Sequence, residues 1–125
     1  MVERNKILSF QDLEIWKRSM KLVEDVYQLT KGFPREEVYG LTSQLRRSAV
    51  SIPSNIAEGF NRIHTAEFRQ FLYVSLGSCS EASTQIMIAS RLAYMESKDS
   101  SCLLKVIDEI SRMIMSLIKK LGNNE

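Results

Sequence analysis

The chain has little of what catalytic and metal-binding domains are built from. It holds one histidine, His64. A metal ligand needs companions, and no Glu-x-x-His pair of the kind di-iron bundles use is present. There is no GxxxxGK[ST], GxGxxG, HExxH or GxSxG string. Gly77-Ser78-Cys79 is the nearest thing to a nucleophile string, and it has no histidine at hand. These absences predict no enzymatic activity, no cofactor and no metal. The two cysteines, Cys79 and Cys102, show no CxxC spacing. Buried thiols in a reducing compartment are the expectation, rather than a disulfide. No apolar run approaches the roughly 18 residues of a membrane span. The opening MVERNKILSF lacks the apolar stretch of a signal peptide. Together these predict a cytoplasmic chain with no membrane contact. Two prolines and five glycines in 125 residues leave room for long helices, and no alternating strand is bounded by turn signals.

What the chain does have is helical periodicity within a globular composition, 44% hydrophobic and 26% charged. At this length it is expected to form one domain over residues 1–125. The spacing predicts four helices, over about 10–31, 35–58, 65–95 and 98–121. In the first, Ser9 is the expected cap, and Leu13, Trp16, Met20, Val23, Tyr27 and Thr30 step by three and four. Ile15, Leu22, Val26 and Leu29 form a second line beside them. The second helix carries Leu41, Leu45, Ser48, Ile52 and Ile56. It should kink rather than stop at Pro53 and end at Gly59. In the third, Phe68, Leu72, Ser75, Cys79, Ala82, Ile86, Ala89 and Ala93 make one line. Its small residues from Ser75 to Ser83 would let a neighbouring backbone come close. Leu103, Ile107, Ile110, Ile114, Leu117 and Leu121 line the fourth, and Gly122 is its expected end. Short connectors make the architecture all-α, an antiparallel up-down-up-down four-helix bundle.

Some polar residues interrupt this pattern. Arg47, Ser51, Asn55 and Glu58 form a stripe on the second helix. Glu81 and Gln85 fall on the second line of helix 3, with Phe71, Val74, Ile88 and Leu92. A carboxylate buried alone costs several kcal/mol, so a structural polar network of Arg47, Asn55, Glu58 and Glu81 is expected. Within it Arg47, or Arg46, pairs with Glu81 across the bundle. A solvated groove or subunit contact, and an acid–base or ligand site, stay open as alternatives.

Ser51-Ile-Pro-Ser-Asn-Ile-Ala-Glu-Gly59 is the most specific string of the chain. Together with Asp12-Leu-Glu-Ile-Trp16, Leu41-Thr-Ser-Gln-Leu-Arg-Arg47 and Gly77-Ser78…Glu81, it resembles the four-helix-bundle proteins named after the intervening sequences of bacterial 23S rRNA genes. The resemblance covers about residues 8–118. It implies an antiparallel four-helix bundle that assembles into a ring-like homopentamer, without catalytic activity. A related group serves diversity-generating retroelements as accessory proteins, binding nucleic acid and a reverse transcriptase. The shared motif residues are Asp12, Leu13, Trp16, Gln44, Arg47, Pro53, Asn55, Glu58, Gly59 and Glu81. None brings an established role with it.

The net charge of +2 hides an asymmetry. In an up-down-up-down bundle, residues 1–21, 47–78 and 110–125 form one end. They hold eleven bases and six acids, for +5, and the rest of the chain holds six bases and nine acids, for −3. Arg62, Arg69, Lys119 and Lys120 are expected to converge at the basic end, with Lys17 and Arg18 nearby. On a pentameric ring the rim would carry about +25, enough to hold a phosphate backbone in a salt-dependent way. Few aromatics accompany it, Phe60 being one candidate, so base readout should be weak. The second apolar line of helix 1, with Val106, Met113 and Ile118 on helix 4, would make a patch wider than a monomer usually exposes. The expected function is a homo-oligomeric scaffold that binds RNA or DNA. The alternative is a protein-interaction module serving a partner such as a reverse transcriptase.

Overall fold

The computed structural model describes residues 7–122. The charges at Glu3, Arg4, Lys6 and Glu125 and the Asn123–Glu125 tail lie outside the described residues. Four α-helices follow one another: α1 Glu14–Thr30, α2 Leu41–Phe60, α3 Thr65–Arg91 and α4 Ser97–Gly122. Each packs against its neighbours in sequence, α4 closes onto α1, and the diagonal pairs stay apart. This is the all-α four-helix arrangement that the periodicity predicts.

The helix ends differ from expectation for local reasons. Ser9 caps a 3-10 turn, Phe10–Asp12, instead of α1. Its Oγ accepts from the Gln11 N–H, while the Asp12 carboxylate accepts from the Leu8 and Ser9 N–H groups. Leu13 is then extended (φ −76°, ψ 129°), so α1 begins at Glu14. Residues 35–37 form another 3-10 turn, and α2 starts six residues later than predicted. There the Glu37 carboxylate takes the place of a cap, accepting from the Leu41 N–H at 3.0 Å and from the Tyr94 hydroxyl at 2.9 Å. The Leu41 N–H, then Tyr94, hold the Glu37 carboxyl below its ordinary range; the bond to Glu37 raises the Tyr94 phenol. Gly59 does not end α2, which runs through it to Phe60. α3 stops at Arg91, not at 95. Ala93 takes a left-handed φ of 62°, while the Ala93 and Tyr94 N–H groups bond back to the Ser90 and Ala89 carbonyls, the pattern that closes helices.

The core is formed by Leu22, Val26, Leu45, Ile52, Ile56, Leu72, Ile86, Ile107, Ile110 and Ile114, with Ile15 and Ile118 at one end. This reverses the reading of helix 1. The buried line is Ile15, Leu22 and Val26, with Ser19 and Thr30 among them, while Trp16 and Val23 are half-buried and Met20 and Tyr27 exposed. Ser19 and Thr30 can sit in the core because their hydroxyls donate to the Ile15 and Val26 carbonyls one turn back, at 2.6 and 2.7 Å. On α4, Ile118 is buried, while Leu117 and Leu121 are half-buried. Of the patch expected from both helices, Ile15, Leu22, Val26 and Ile118 are therefore interior, while Leu29, Val106 and Met113 are half-buried.

The small residues of α3 do bring α2 close. Ser75 Oγ donates to the Ile52 carbonyl, Ser78 to Ser51 Oγ and Ser48 to Gln85 Oε1, at 2.7–2.8 Å. Gly59 lies under Phe68 and Phe71, where a Cβ would sit 2.7 Å from Phe71 Cβ. No buried side-chain polar atom among the described residues lacks a hydrogen-bond partner.

Candidate nucleic-acid interface and the surfaces beside it

One end of the bundle gathers the end of α2, the start of α3, the end of α4 and the start of α1. Lys119 and Lys120 occupy the last turn of α4, where cations suit the negative helix end, and both are exposed. Arg69, in the first turns of α3, is half-buried and runs beside the end of α4: a Cβ on Gly122 would lie 3.9 Å from its Cδ. Lys120 faces the other way, lining an apolar groove between α1 and α4 with Leu13, Ile15, Met113 and Leu117. Arg62 is held on its own side of the end, 3.0 Å from Glu58 and 4.8 Å over the Phe71 ring. Lys17 is exposed on α1; Arg18 bridges Glu14 and Glu109 at 3.4 and 3.3 Å. The structure thus brings Arg69 to the end of α4 and Lys120 to the start of α1, while Arg62 and Arg18 are occupied by acids. Phe60 is half-buried and stacks edge-on against Phe68, 5.9 Å away.

The charge asymmetry persists among the described residues. Residues 7–21, 47–78 and 110–122 hold nine bases and four acids, and residues 22–46 and 79–109 six bases and nine acids.

The polar network differs from expectation. Arg47 and Glu81 are both exposed, and no ion pair joins them. They stand on the two rims of a groove of about 340 Å³ between α2 and α3, floored by Ser48, Ser51 and Gln85. Glu58 bonds outward to Arg62, and Asn55 donates to the Ser51 carbonyl and hydroxyl. The buried polar residues of this seam are the neutral serines Ser48, Ser75 and Ser78, with Gln85 half-buried beside them. The line that carries Glu81 is not a core line: Val74, Ile88 and Leu92 are themselves exposed.

A second groove, apolar and of about 370 Å³, runs between α1 and α2 and is lined by Trp16, Met20, Val23, Val50, Pro53, Ser54 and Ala57. Trp16 and Pro53 are legible in the sequence as motif residues, but their groove was hidden by the swapped faces of helix 1. No group of three or more His, Cys, Asp or Glu side chains able to hold a metal occurs among the described residues. Both cysteines are free. Cys79 is buried, which pushes its thiol up, but Cys102 is exposed rather than buried as expected. No helix of the described residues is long and apolar enough to cross a membrane.

Among protein-family models, the one described as 23S rRNA-intervening sequence protein matches residues 11–116. A crystal structure of a protein of unknown function from the S23 ribosomal protein family of Bacteroides thetaiotaomicron is similar in fold. Its TM-score is 0.78 at 22% identity, covering 84% of this chain and 98% of that one. No curated protein matches.

Proposed function

The chain belongs to the 23S rRNA-intervening sequence protein family, and from that premise we propose that it is a non-enzymatic, self-assembling helical scaffold that grips the phosphate backbone of RNA or DNA at its basic end. The observation that carries this reading is the division of charge, nine bases against four acids at one end and six against nine at the other. A surface of one sign attracts a polyanion without reading its sequence, and repetition in an oligomer multiplies the attraction. The scarcity of exposed rings there fits backbone contact rather than base stacking. The cytoplasm, where reduced thiols and nucleic acid coexist, is the compartment this reading calls for.

The test is gel retardation of structured RNA and duplex DNA at about 50 mM salt, where counterion release favours such contacts. Retention should fall steeply with salt. Reversing Lys119 and Lys120 together should weaken it sharply, while reversing Lys98 and Lys105 in the acidic half should change little. No retardation of either nucleic acid by the wild type would refute the reading. A protein-interaction module is the second reading, favoured by the sparse charge of α2 and α3. Its signature is a partner retained in high salt with no nucleic acid bound.

A further inference from the structure

The start of α2, at the end of the bundle opposite the basic one, opens on a pocket of about 320 Å³ lined by Tyr27, Val38, Thr42, Ser43, Arg46 and Arg47. Its lining carries two arginines and no acid. Thr42 is only 6% exposed, yet its hydroxyl has no hydrogen-bond partner among the described residues. Thr30 and Thr84 donate to the carbonyl one turn back; one turn back from Thr42 stands Val38, outside the helix. No fully enclosed side-chain polar atom of the described residues lacks a partner, so the Thr42 oxygen opens on the pocket. Arg46 is held in place beside it. Its guanidinium lies 4.5 Å over the Tyr27 ring, its Nε donates to Thr30 Oγ1 at 2.8 Å and its Nη2 reaches the Tyr27 carbonyl at 3.4 Å. That leaves Nη1 free, on a side chain that loses little freedom when a ligand arrives. Arg47 has no partner among the described residues. α2 also begins without a capping side chain at Gly40. Glu37, turned toward Tyr94, takes the Leu41 N–H, while the Thr42 and Ser43 N–H groups stay unpaired.

We propose that this pocket holds a small phosphate monoester. The phosphoryl oxygens take the Thr42 and Ser43 hydroxyls, Arg46 Nη1 and the Arg47 guanidinium at the positive end of α2. The Tyr27 ring and Val38 offer nothing to a phosphate, but they suit the carbon-bearing remainder of an ester. The size of the ligand follows from the surrounding charge. Residues 22–46 and 79–109 hold nine acids against six bases, a field that repels a long polyanion and leaves the two guanidiniums to a compact one.

The experiment is calorimetric titration of the full chain with ribose 5-phosphate. Binding should saturate in the millimolar range or below; inorganic phosphate should compete and ribose should not. Thr42→Val removes only the hydroxyl. It should weaken binding roughly tenfold, as for a hydrogen bond to a charged group, without lowering the thermal midpoint, because a buried hydroxyl with no partner stabilises nothing. Arg47→Gln, at an exposed position, should weaken binding by roughly tenfold or more with the midpoint unchanged. No saturable binding by the wild type, competition by ribose, or wild-type binding by either variant overturns the proposal. Loss of nucleic-acid retardation in Arg47→Gln would give this arginine to a polyanion and overturn it too. The titration reads the same whether or not the basic end holds nucleic acid, so the two readings fail separately.

Discussion

The α2–α3 side of the bundle and the α1–α4 side are held together by different means. α1 and α4 carry 14 charged side chains in 43 residues; α2 and α3 carry seven in 47. Both seams open on a groove, and the one between α1 and α4 has the Arg18–Glu109 ion pair at its surface. Between α2 and α3, serine hydroxyls reach across to a main-chain carbonyl and to one another, and Gly59 admits two phenylalanines. Close approach makes neutral hydrogen bonds short and keeps out long charged side chains. The loose side takes its charges to water, where ion pairs contribute little. The two sides also differ outward: one is a solvated wall, the other a surface with little to keep a partner off.

Four substitutions test this contrast. Gly59→Ala should cost about 1–3 kcal/mol in urea unfolding, the usual range for overpacking, even though alanine is the better helix former. Neutral or stabilised protein would show that the seam is not tight. Ser75→Ala, which removes the buried bond to the Ile52 carbonyl, should cost about 1 kcal/mol, without dependence on salt. Ala93→Gly asks whether the end of α3 is also strained. It should gain about 0.5–1 kcal/mol, because glycine accepts the left-handed φ that alanine resists. Arg18→Ala, on the loose side, should change stability by at most about 0.5 kcal/mol, and by less at high salt. A larger loss there would erase the distinction between the sides.

The four helices are legible because Ile52 and Ile56 on α2, and Leu103 to Ile114 on α4, each form one apolar line against polar neighbours. Helix 1 has two lines of nearly equal hydrophobicity, and periodicity alone favoured the one with Trp16. The buried line contains Ser19, whose polarity is cancelled by its bond to the carbonyl four residues back, and it ends in Thr30, which the spacing places on the line with Trp16. The same difficulty hid the state of Glu81, placed on an apolar line that the structure leaves exposed. The helix ends at Ala93 and Leu13 depend on backbone conformations that neither residue type signals. Of the candidate basic residues, position along the chain placed Arg69 near the end of α4, but could not foresee that Glu58 and Glu109 occupy Arg62 and Arg18.

At the end of the bundle opposite the basic one, no covalent link joins the α1–α2 connector to the α3–α4 connector. Glu37 and Tyr94, 57 residues apart, meet there instead, with the Phe33 and Tyr94 rings 5.6 Å apart beneath them. This latch is sensitive to protons. The Glu37 carboxyl is held below its ordinary range, so its contribution is present above the unfolded carboxylate pKa and fades as pH falls through the lowered value. The phenol, raised by the same bond, loses its share only in alkali. Acid should therefore weaken the contact between the two connectors, together with the hold of Glu37 on the Leu41 N–H at the start of α2.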